Sequence, residues 1–197
     1  MIAIFIAAMA VVVVLSNVLV QYPVQASVGG LNLAELLTWG AFTYPLAFLV
    51  TDITNRTFGA AKARIVVLAG FAVAVALSIW LATPRIAIAS GTAFLVAQLV
   101  DVSVFDRLRS ANWWRAPLVS SVIGSVLDTV LFFSLAFASF FAFLGEGSLI
   151  DPVPLLGVLP VTVPLWVSLA AGDLVVKLLV GIAALAPYRI ATRPIAA

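Results

Sequence analysis

The sequence predicts an all-α integral membrane protein, a six-transmembrane-helix bundle that forms one domain over residues 1–197. The first observation behind this prediction is composition, since 64% of the residues are hydrophobic and 9% are charged, against roughly 45–50% and 25% in soluble domains. The second is a mean hydropathy of +1.25, sustained over runs close to the ~20 residues that cross a bilayer. A water-soluble domain of this length could not bury so much apolar surface.

Six apolar runs, separated by turn or charge signals, define the predicted helices. The first run is also open to interpretation as a signal peptide, because Val24-Gln25-Ala26 resembles a cleavage site. No basic residue precedes that run, and it is long for the apolar part of a signal peptide, so we expect it to be retained as a helix. The predicted helices cover residues 1–20, 33–51, 65–82, 86–105, 117–144 and 161–187.

The distribution of Lys and Arg predicts the orientation of the bundle. Eight of the ten basic residues follow the second, fourth or sixth predicted helix, whereas Arg85 lies on the opposite side and Lys177 lies within a helix. Short cytoplasmic loops retain positive charge during insertion. We therefore expect both termini on the cytoplasmic side of a cell inner membrane. The eight residues are Arg56, Lys62, Arg64, Arg107, Arg109, Arg115, Arg189 and Arg193.

The chain contains no cysteine and no histidine. This inventory excludes disulfides, zinc sites built on those ligands and catalysis by thiolates or His triads. We expect no catalytic residue, no metal and no cofactor. The basic residues are scattered among helix ends rather than gathered on one face, so nucleic acid is not a predicted partner. The expected partners are the lipid bilayer and a small molecule, and assembly into a homo-oligomer is left open.

Charged residues lie at depths where lipid would surround them. A charge near the bilayer midplane costs about 2.5–3.5 kcal/mol, so such side chains should face protein or water. Asp128 lies near the middle of the fifth helix, preceded by small and polar residues at helical spacing. Asp173 and Lys177 are four residues apart on the sixth helix, acid first, which favours an ion pair. Asp128 is a predicted ligand contact, whereas a purely structural role of the Asp173–Lys177 pair stays open.

One face of the fourth predicted helix combines rings with polar groups. Phe94, Gln98, Asp101 and Phe105 recur at helical spacing, with an amide and a carboxylate between two aromatic rings. Side chains of this kind suit a flat heteroaromatic ligand, because rings stack on its face and polar groups bind its edge. This face is therefore a predicted part of a binding site.

Polar residues also mark both ends of the second predicted helix. Glu35 and Trp39 lie at its start and Asn17 lies near the end of the first helix, where they could rim an outward opening. Simple solvation of Glu35 at the interface is the alternative. Asp52 and Arg56, four residues apart at the other end, are interpreted as a structural helix-end pair.

Three stretches resemble a known family. Residues 42–56, FTYPLAFLVTDITNR, followed by Phe58-Gly59, are similar to the second-helix signature of queuosine precursor transporters, the vitamin-uptake-like VUT family. Residues 97–106, AQLVDVSVFD, resemble the fourth-helix motif, and the stretch from Trp113 to Asp128-Thr129 resembles the fifth. The resemblance implies salvage uptake of 7-cyano-7-deazaguanine or 7-aminomethyl-7-deazaguanine. It also implies a fold similar to the substrate-binding subunits of energy-coupling-factor transporters.

The chemistry of a deazaguanine is compatible with these residues. Its ring N–H and exocyclic amine form a donor pair that Asp101 or Asp128 could accept, while its carbonyl oxygen needs a donor. Gln98, Asn17 or Lys177 could supply that donor, and Phe94, Trp39, Tyr44 or Phe132 could stack on the ring. The predicted binding residues are Asn17, Glu35, Trp39, Tyr44, Phe94, Gln98, Asp101, Asp128, Asp173 and Lys177.

Three alternatives remain at this stage. A substrate-binding subunit for a vitamin-like solute could depend on an energising partner that docks on the small residues Ala3, Ala7 and Ala10. An intramembrane enzyme would need a carboxyl dyad, for which Asp101 and Asp128 are the candidates. A structural or assembly factor would have neither a cavity nor converging polar groups.

Overall fold

Long apolar runs form the helices of the structure, a computed structural model that describes residues 1–193. In that part of the chain there are seven α-helices, two short β-hairpins and two 3-10 turns, at Leu33–Glu35 and Ser139–Leu144. The helices are α1 Ile2–Leu19, α2 Gly40–Thr43, α3 Leu46–Phe58, α4 Ala60–Leu81, α5 Pro84–Leu108, α6 Arg115–Phe137 and α7 Leu165–Thr192; the strands are β1 Ser27–Val28, β2 Leu31–Asn32, β3 Pro152–Leu155 and β4 Leu159–Pro164.

Five of the helices described for residues 1–193, namely α1, α4, α5, α6 and α7, are long and apolar enough to cross a membrane. The predicted second segment, 33–51, is instead a 3-10 turn followed by α2 and the 13-residue α3. Pro45 lies between α2 and α3, and it has no N–H to donate to the carbonyl of Ala41. The structure therefore supports a helical multi-pass membrane protein with five long helices and one additional, interrupted segment formed by α2 and α3.

The two short helices run alongside α1 in the opposite direction. At one end Gly40 contacts Val20, and at the other the rings of Phe5 and Phe58 lie 5.6 Å apart, edge to face. A Cβ on Gly40 would lie 2.9 Å from the Cα of Val20, so the two backbones touch there. This close approach fixes the start of α2 against the end of α1.

Basic residues gather where α3, α5 and α7 end and α4 and α6 begin. Arg56 donates from Nη1 to the carbonyl of Arg109 at 2.8 Å, and Arg109 donates back to the carbonyl of Arg56 at 2.8 Å. The Arg189 guanidinium lies 4.3 Å from the ring centre of Trp113. Because Phe5 contacts Phe58, the start of α1 also lies here. We call this region the basic end.

At the opposite end, the buried Arg85 determines where α6 stops. Its guanidinium donates to the carbonyls of Leu135, Ala138 and Gly145 at 2.9, 2.6 and 2.9 Å. The carbonyls of Leu135 and Ala138 belong to the end of α6, which leaves its last carbonyls without partners, and Gly145 follows the next turn. The predicted fifth helix, 117–144, accordingly ends at Phe137 and continues as a 3-10 turn.

The segment before α7 forms a hairpin rather than the start of a helix. β3 and β4 pair antiparallel from Pro152 and Pro164 inward. At the turn, Leu156 has a φ of 55° and its backbone N–H donates to the hydroxyl of Ser168 at 2.8 Å. The predicted helix 161–187 is therefore observed as α7, which starts at Leu165 and ends at Thr192.

Candidate functional site

A cavity of about 590 Å³ lies among the helices and reaches the loops opposite the basic end. Its volume is within the range of roughly 300–1,000 Å³ that small-molecule sites occupy. Side chains from α1, α2, α4, α5, α6 and α7 contribute to its wall. The polar and aromatic residues of the wall include Asn17, Gln21, Glu35, Tyr44, Ser90, Asp128, Phe132, Phe133, Phe137, Asp173 and Lys177.

Two acids and a lysine converge at the deep side of the cavity. Lys177 Nζ lies 2.6 Å from Asp128 Oδ2 and 2.5 Å from Asp173 Oδ2, and it donates to the Thr129 hydroxyl at 3.2 Å. Thr129 in turn donates to Asp173 at 2.9 Å. Tyr44 Oη donates to Asp128 Oδ1 at 2.9 Å. We call these five residues the Lys177 cluster.

Helix geometry explains how the Lys177 cluster forms. Asp173 and Lys177 are one turn apart on α7, and α6 packs against α7 with Asp128 and Thr129 facing them. Tyr44 reaches Asp128 from the junction of α2 and α3, and its ring centre lies 5.3 Å from the ammonium of Lys177, a cation–π distance. The predicted Asp173–Lys177 pair is thus present, and it is extended by an acid from a second helix.

Asp173 is the cluster's most accessible acid. Its side chain is 14% exposed, against 5% for Asp128 and Lys177. Asp128 uses one oxygen for Tyr44 and the other for Lys177, whereas Asp173 uses only Oδ2. Among residues 1–193 nothing donates a hydrogen bond to Asp173 Oδ1, so this oxygen is an available acceptor.

Aromatic side chains of α6 form one side of the cavity. The rings of Phe132 and Phe133 lie 5.1 Å apart, and those of Phe132 and Phe137 lie 5.9 Å apart, both edge to face. Such a wall offers apolar surface against which a planar ring can stack. At the rim, Glu35 accepts from Asn32 Nδ2 at 2.7 Å. The cavity therefore has a polar rim, an aromatic side and a charged base.

Not all of the predicted binding residues reach this cavity. Trp39 is 47% exposed and contacts Phe42, while Phe94 lies in the buried core, where its ring and that of Tyr44 pack edge to face. Gln98 and Asp101 are fully buried and face α3. The face of α5 that carries them turns toward α3 rather than toward the cavity. The predicted residues that do line the cavity are Asn17, Glu35, Tyr44, Asp128, Asp173 and Lys177.

Sequence reasoning did not single out two residues that the structure places at the cavity. Thr129 bridges Asp173 and Lys177, and its signal in the sequence was its place beside Asp128 in the stretch that resembles the family's fifth helix. Phe133 lines the cavity beside Phe132, in a helix whose other faces are also apolar. Neither position stands out without knowing how α6 is rotated.

A second polar cluster lies between α3, α5 and α6. Ser120 and Ser121 donate to the two carboxylate oxygens of Asp52, each at 3.3 Å. Asp101 lies close enough to Asp52 for the two carboxyl groups to interact electrostatically. Asp52 does not form the predicted pair with Arg56, because the Arg56 guanidinium donates to Tyr188 Oη and to the Arg109 carbonyl instead.

Helices of membrane-spanning length around a cavity with a charged base define a multi-pass membrane protein that can hold a small polar molecule. Comparison with known families agrees with this class. Residues 38–83 and 77–191 match the family model described as "Putative vitamin uptake transporter". Because the match covers most of the chain, the protein belongs to this family.

Two curated proteins are similar to this chain. The queuosine precursor transporter of Escherichia coli (strain K12) is 41% identical over 147 residues, covering 64% of this chain and 64% of the relative. The probable queuosine precursor transporter of Haemophilus influenzae (strain ATCC 51907 / DSM 11121 / KW20 / Rd) is 37% identical over 153 residues, covering 64% and 65%. The matched region thus spans slightly less than two thirds of either relative. No solved structure matches this chain.

Proposed function

We propose that this protein imports queuosine precursors, 7-cyano-7-deazaguanine or 7-aminomethyl-7-deazaguanine, across the cell inner membrane. The names of the two similar proteins support the substrate class. The observation that carries the proposal is the cavity of about 590 Å³ with the Lys177 cluster at its base. A membrane protein needs a water-accessible hollow of this kind to hold a polar solute at lipid depth.

The hydrogen-bonding groups of the Lys177 cluster are complementary to those on the edge of a deazaguanine. The ring N–H and exocyclic amine of the base form a donor pair that a carboxylate can accept, and Asp173 Oδ1 is available for it. The ammonium of Lys177 can donate to the carbonyl oxygen of the base by giving up its bond to Thr129, which at 3.2 Å is the longest of its three contacts. Phe132 supplies a stacking surface, and Asn17 and Glu35 contact the solute at the rim during entry. In this proposal Asp128 and Tyr44 hold Lys177 in place.

The proposed topology has six crossings, with both termini in the cytoplasm. It is supported by the positions of the first turn of α1 and the last turn of α7, which both lie at the basic end. Positive charge marks the cytoplasmic side. The chain has no cysteine, so single cysteines at Thr57 and Gly147 would report one side each. Reaction of Thr57→Cys with an impermeant thiol reagent from outside intact cells would contradict this topology.

Uptake by the purified protein tests the function. We expect liposomes that contain only this chain to take up labelled 7-cyano-7-deazaguanine saturably. Asp173→Asn should weaken uptake roughly tenfold or more, because a hydrogen bond to a charged group contributes about 1.5–3 kcal/mol. Glu146→Gln, an exposed change outside the cavity, is the matched control. Uptake by Asp173→Asn at the wild-type rate would show that Asp173 is not part of the site. Absence of both binding and uptake in the wild-type protein would refute the proposed function.

The second candidate is a substrate-binding subunit that needs an energising partner. The exposed small residues Ala3 and Ala7 on α1 favour it, since they leave a narrow face on which another helix can pack. The same liposomes distinguish the two functions. Binding of the deazapurine without uptake supports the partner-dependent subunit, whereas uptake by the lone chain excludes it.

A further inference from the structure

The structure buries a second acidic site that the proposed substrate cavity does not use. Asp52 on α3 is 2% exposed and Asp101 on α5 is 0% exposed. Asp52 is bonded to Ser120 and Ser121, about two helical turns before Asp128 on α6. At 1.5 Å per residue this places it roughly 11 Å nearer the basic end than the base of the cavity. The two acids therefore form a site separate from the Lys177 cluster.

Neither acid has a cationic partner in the described part of the chain, where no Lys or Arg lies within 4.0 Å of them. Lys177 is engaged by Asp128 and Asp173. Arg56, one turn from Asp52, directs its guanidinium to Tyr188 Oη at 2.9 Å and to a backbone carbonyl at 2.8 Å. The polar groups facing Asp52 are thus hydroxyls of α6, Asp101 from α5 and, more distantly, Arg56 and Tyr188.

Several buried atoms around the pair lack hydrogen-bond partners within residues 1–193. They are both carboxylate oxygens of Asp101, Oδ1 of Asn55 and Nε2 of Gln98. Asn55 and Gln98 lie on the facing sides of α3 and α5, where Asn55 donates to the Val102 carbonyl at 3.0 Å. Buried polar atoms are seldom left without partners, so this group points to an additional species at the site.

The orientation of the Gln98 amide indicates the chemistry of that species. The Thr51 hydroxyl lies 3.0 Å from the Ala47 carbonyl and 2.6 Å from Gln98 Oε1, but its one hydrogen cannot serve both acceptors. The oxygen and nitrogen of a Gln amide are assigned from their hydrogen bonds. If the Gln98 amide is rotated by 180°, Nε2 donates to Thr51 Oγ1 and Oε1 is left without a partner. Every unpartnered atom is then an oxygen. The site lacks a positively charged or proton-donating species.

We propose that Asp52 and Asp101 form a proton-binding site that couples import to the proton gradient. This inference rests on the transport function proposed above. A buried carboxylate without a counter-charge is so unfavourable that it is neutralised instead, and a proton achieves this without added volume. The cavity beside Asp52 measures about 10 Å³, room for about one water molecule. An alkali cation would use the same unpartnered oxygens as ligands, so dependence of accumulation on a sodium gradient is the outcome that distinguishes it from a proton.

The same small cavity extends from Asp52 along α6 in the direction of the substrate site. Asp52, Ser121 and Ser125 all line it, and Ser125 is one turn before Asp128 on α6. Protonation of Asp52 or Asp101 therefore changes the charge next to the helix that carries the base of the substrate cavity. One proton binds from the cavity side and leaves at the basic end in each cycle. No covalent bond of the solute changes.

The test uses liposomes that contain the full chain, with the neutral solute 7-cyano-7-deazaguanine and the membrane potential clamped. A gradient of one pH unit, coupled to one proton, should give about tenfold accumulation. Asp101→Asn should abolish accumulation above equilibrium, yet keep exchange of labelled for unlabelled solute within about twofold, because the amide mimics the protonated acid. Asp52→Asn is the second variant. Asp106→Asn, 47% exposed on the same helix, is the control and should accumulate normally.

The possible outcomes distinguish failure of proton coupling from failure of the proposed transport function. Exchange by the wild type without accumulation in a pH gradient would overturn proton coupling and leave the transport function intact. Accumulation that follows a sodium gradient instead, or normal accumulation by Asp101→Asn, would also overturn it. Absence of both exchange and accumulation in the wild type would overturn the function itself. Infrared spectra give a readout independent of transport: the carbonyl band of a protonated carboxyl group should disappear in Asp101→Asn.

Discussion

Lys177 shows how a single basic residue allows two acids to be buried at lipid depth. Its ammonium lies within 2.6 Å of both Asp128 and Asp173. Breaking a buried ion pair by removing one partner leaves an uncompensated charge. The lysine is therefore required for stability as well as for the proposed contact with the solute.

Lys177→Met should lower the free energy of unfolding by about 3–5 kcal/mol, since two buried acids would lose their cation. Thermal unfolding of the detergent-solubilised protein measures this effect. Lys62→Met, which changes an exposed lysine of α4, is the matched control and should change stability little. Equal stability of the two variants would show that Lys177 is not the neutralising group.

Only part of the site was predictable from single residues. The Asp173–Lys177 pair follows from a four-residue spacing on one helix. The contribution of Asp128 depends on which helices are neighbours. The placement of Gln98 and Asp101 against α3 depends on the rotation of α5. In a membrane helix the lipid-facing and protein-facing sides are both apolar, so the sequence pattern does not determine that rotation.

At the scale of elements, the interruption between α2 and α3 positions Tyr44. A hydropathy pattern treats the segment as continuous, because proline is tolerated within membrane helices. The structure instead places Pro45 at the junction, with the Tyr44 hydroxyl bonded to Asp128. A break of this kind inside a bundle lines a cavity, where the freed backbone groups can find partners.

The contact of Gly40 with Val20 gives a prediction for this region. Gly40→Ala should destabilise the protein by about 1–3 kcal/mol, because the added methyl group would overlap backbone atoms that cannot rotate away. Gly181→Ala on α7 is the control, since nothing in the described structure lies within 4 Å of the added methyl group. Midpoints of thermal unfolding provide the comparison. A Gly40→Ala protein as stable as Gly181→Ala would disprove the close backbone contact.

At the scale of the whole molecule, the two ends of the bundle differ in chemistry. One end carries the clustered arginines, and the other opens into the cavity. Composition and the basic residues predicted the membrane class and this asymmetry. They did not predict the β3–β4 hairpin, because Pro152, Pro154 and Pro160 indicate a loop between two helices rather than paired strands. The hairpin depends on a turn that docks on Ser168 of α7, a contact between distant residues.

The central claim is that the two buried polar clusters have different tasks, with the solute bound only at the Lys177 cluster. Equilibrium binding of 7-cyano-7-deazaguanine to the purified protein tests this most directly. We predict that Asp173→Asn binds the solute at least about tenfold more weakly, because it loses a charge-assisted hydrogen bond to the solute. Asp128→Asn should show a similar loss, because Lys177 loses an acid that holds it in place, while Asp101→Asn should bind like the wild type. Loss of binding in Asp101→Asn, with normal binding in both cavity variants, would contradict the claim.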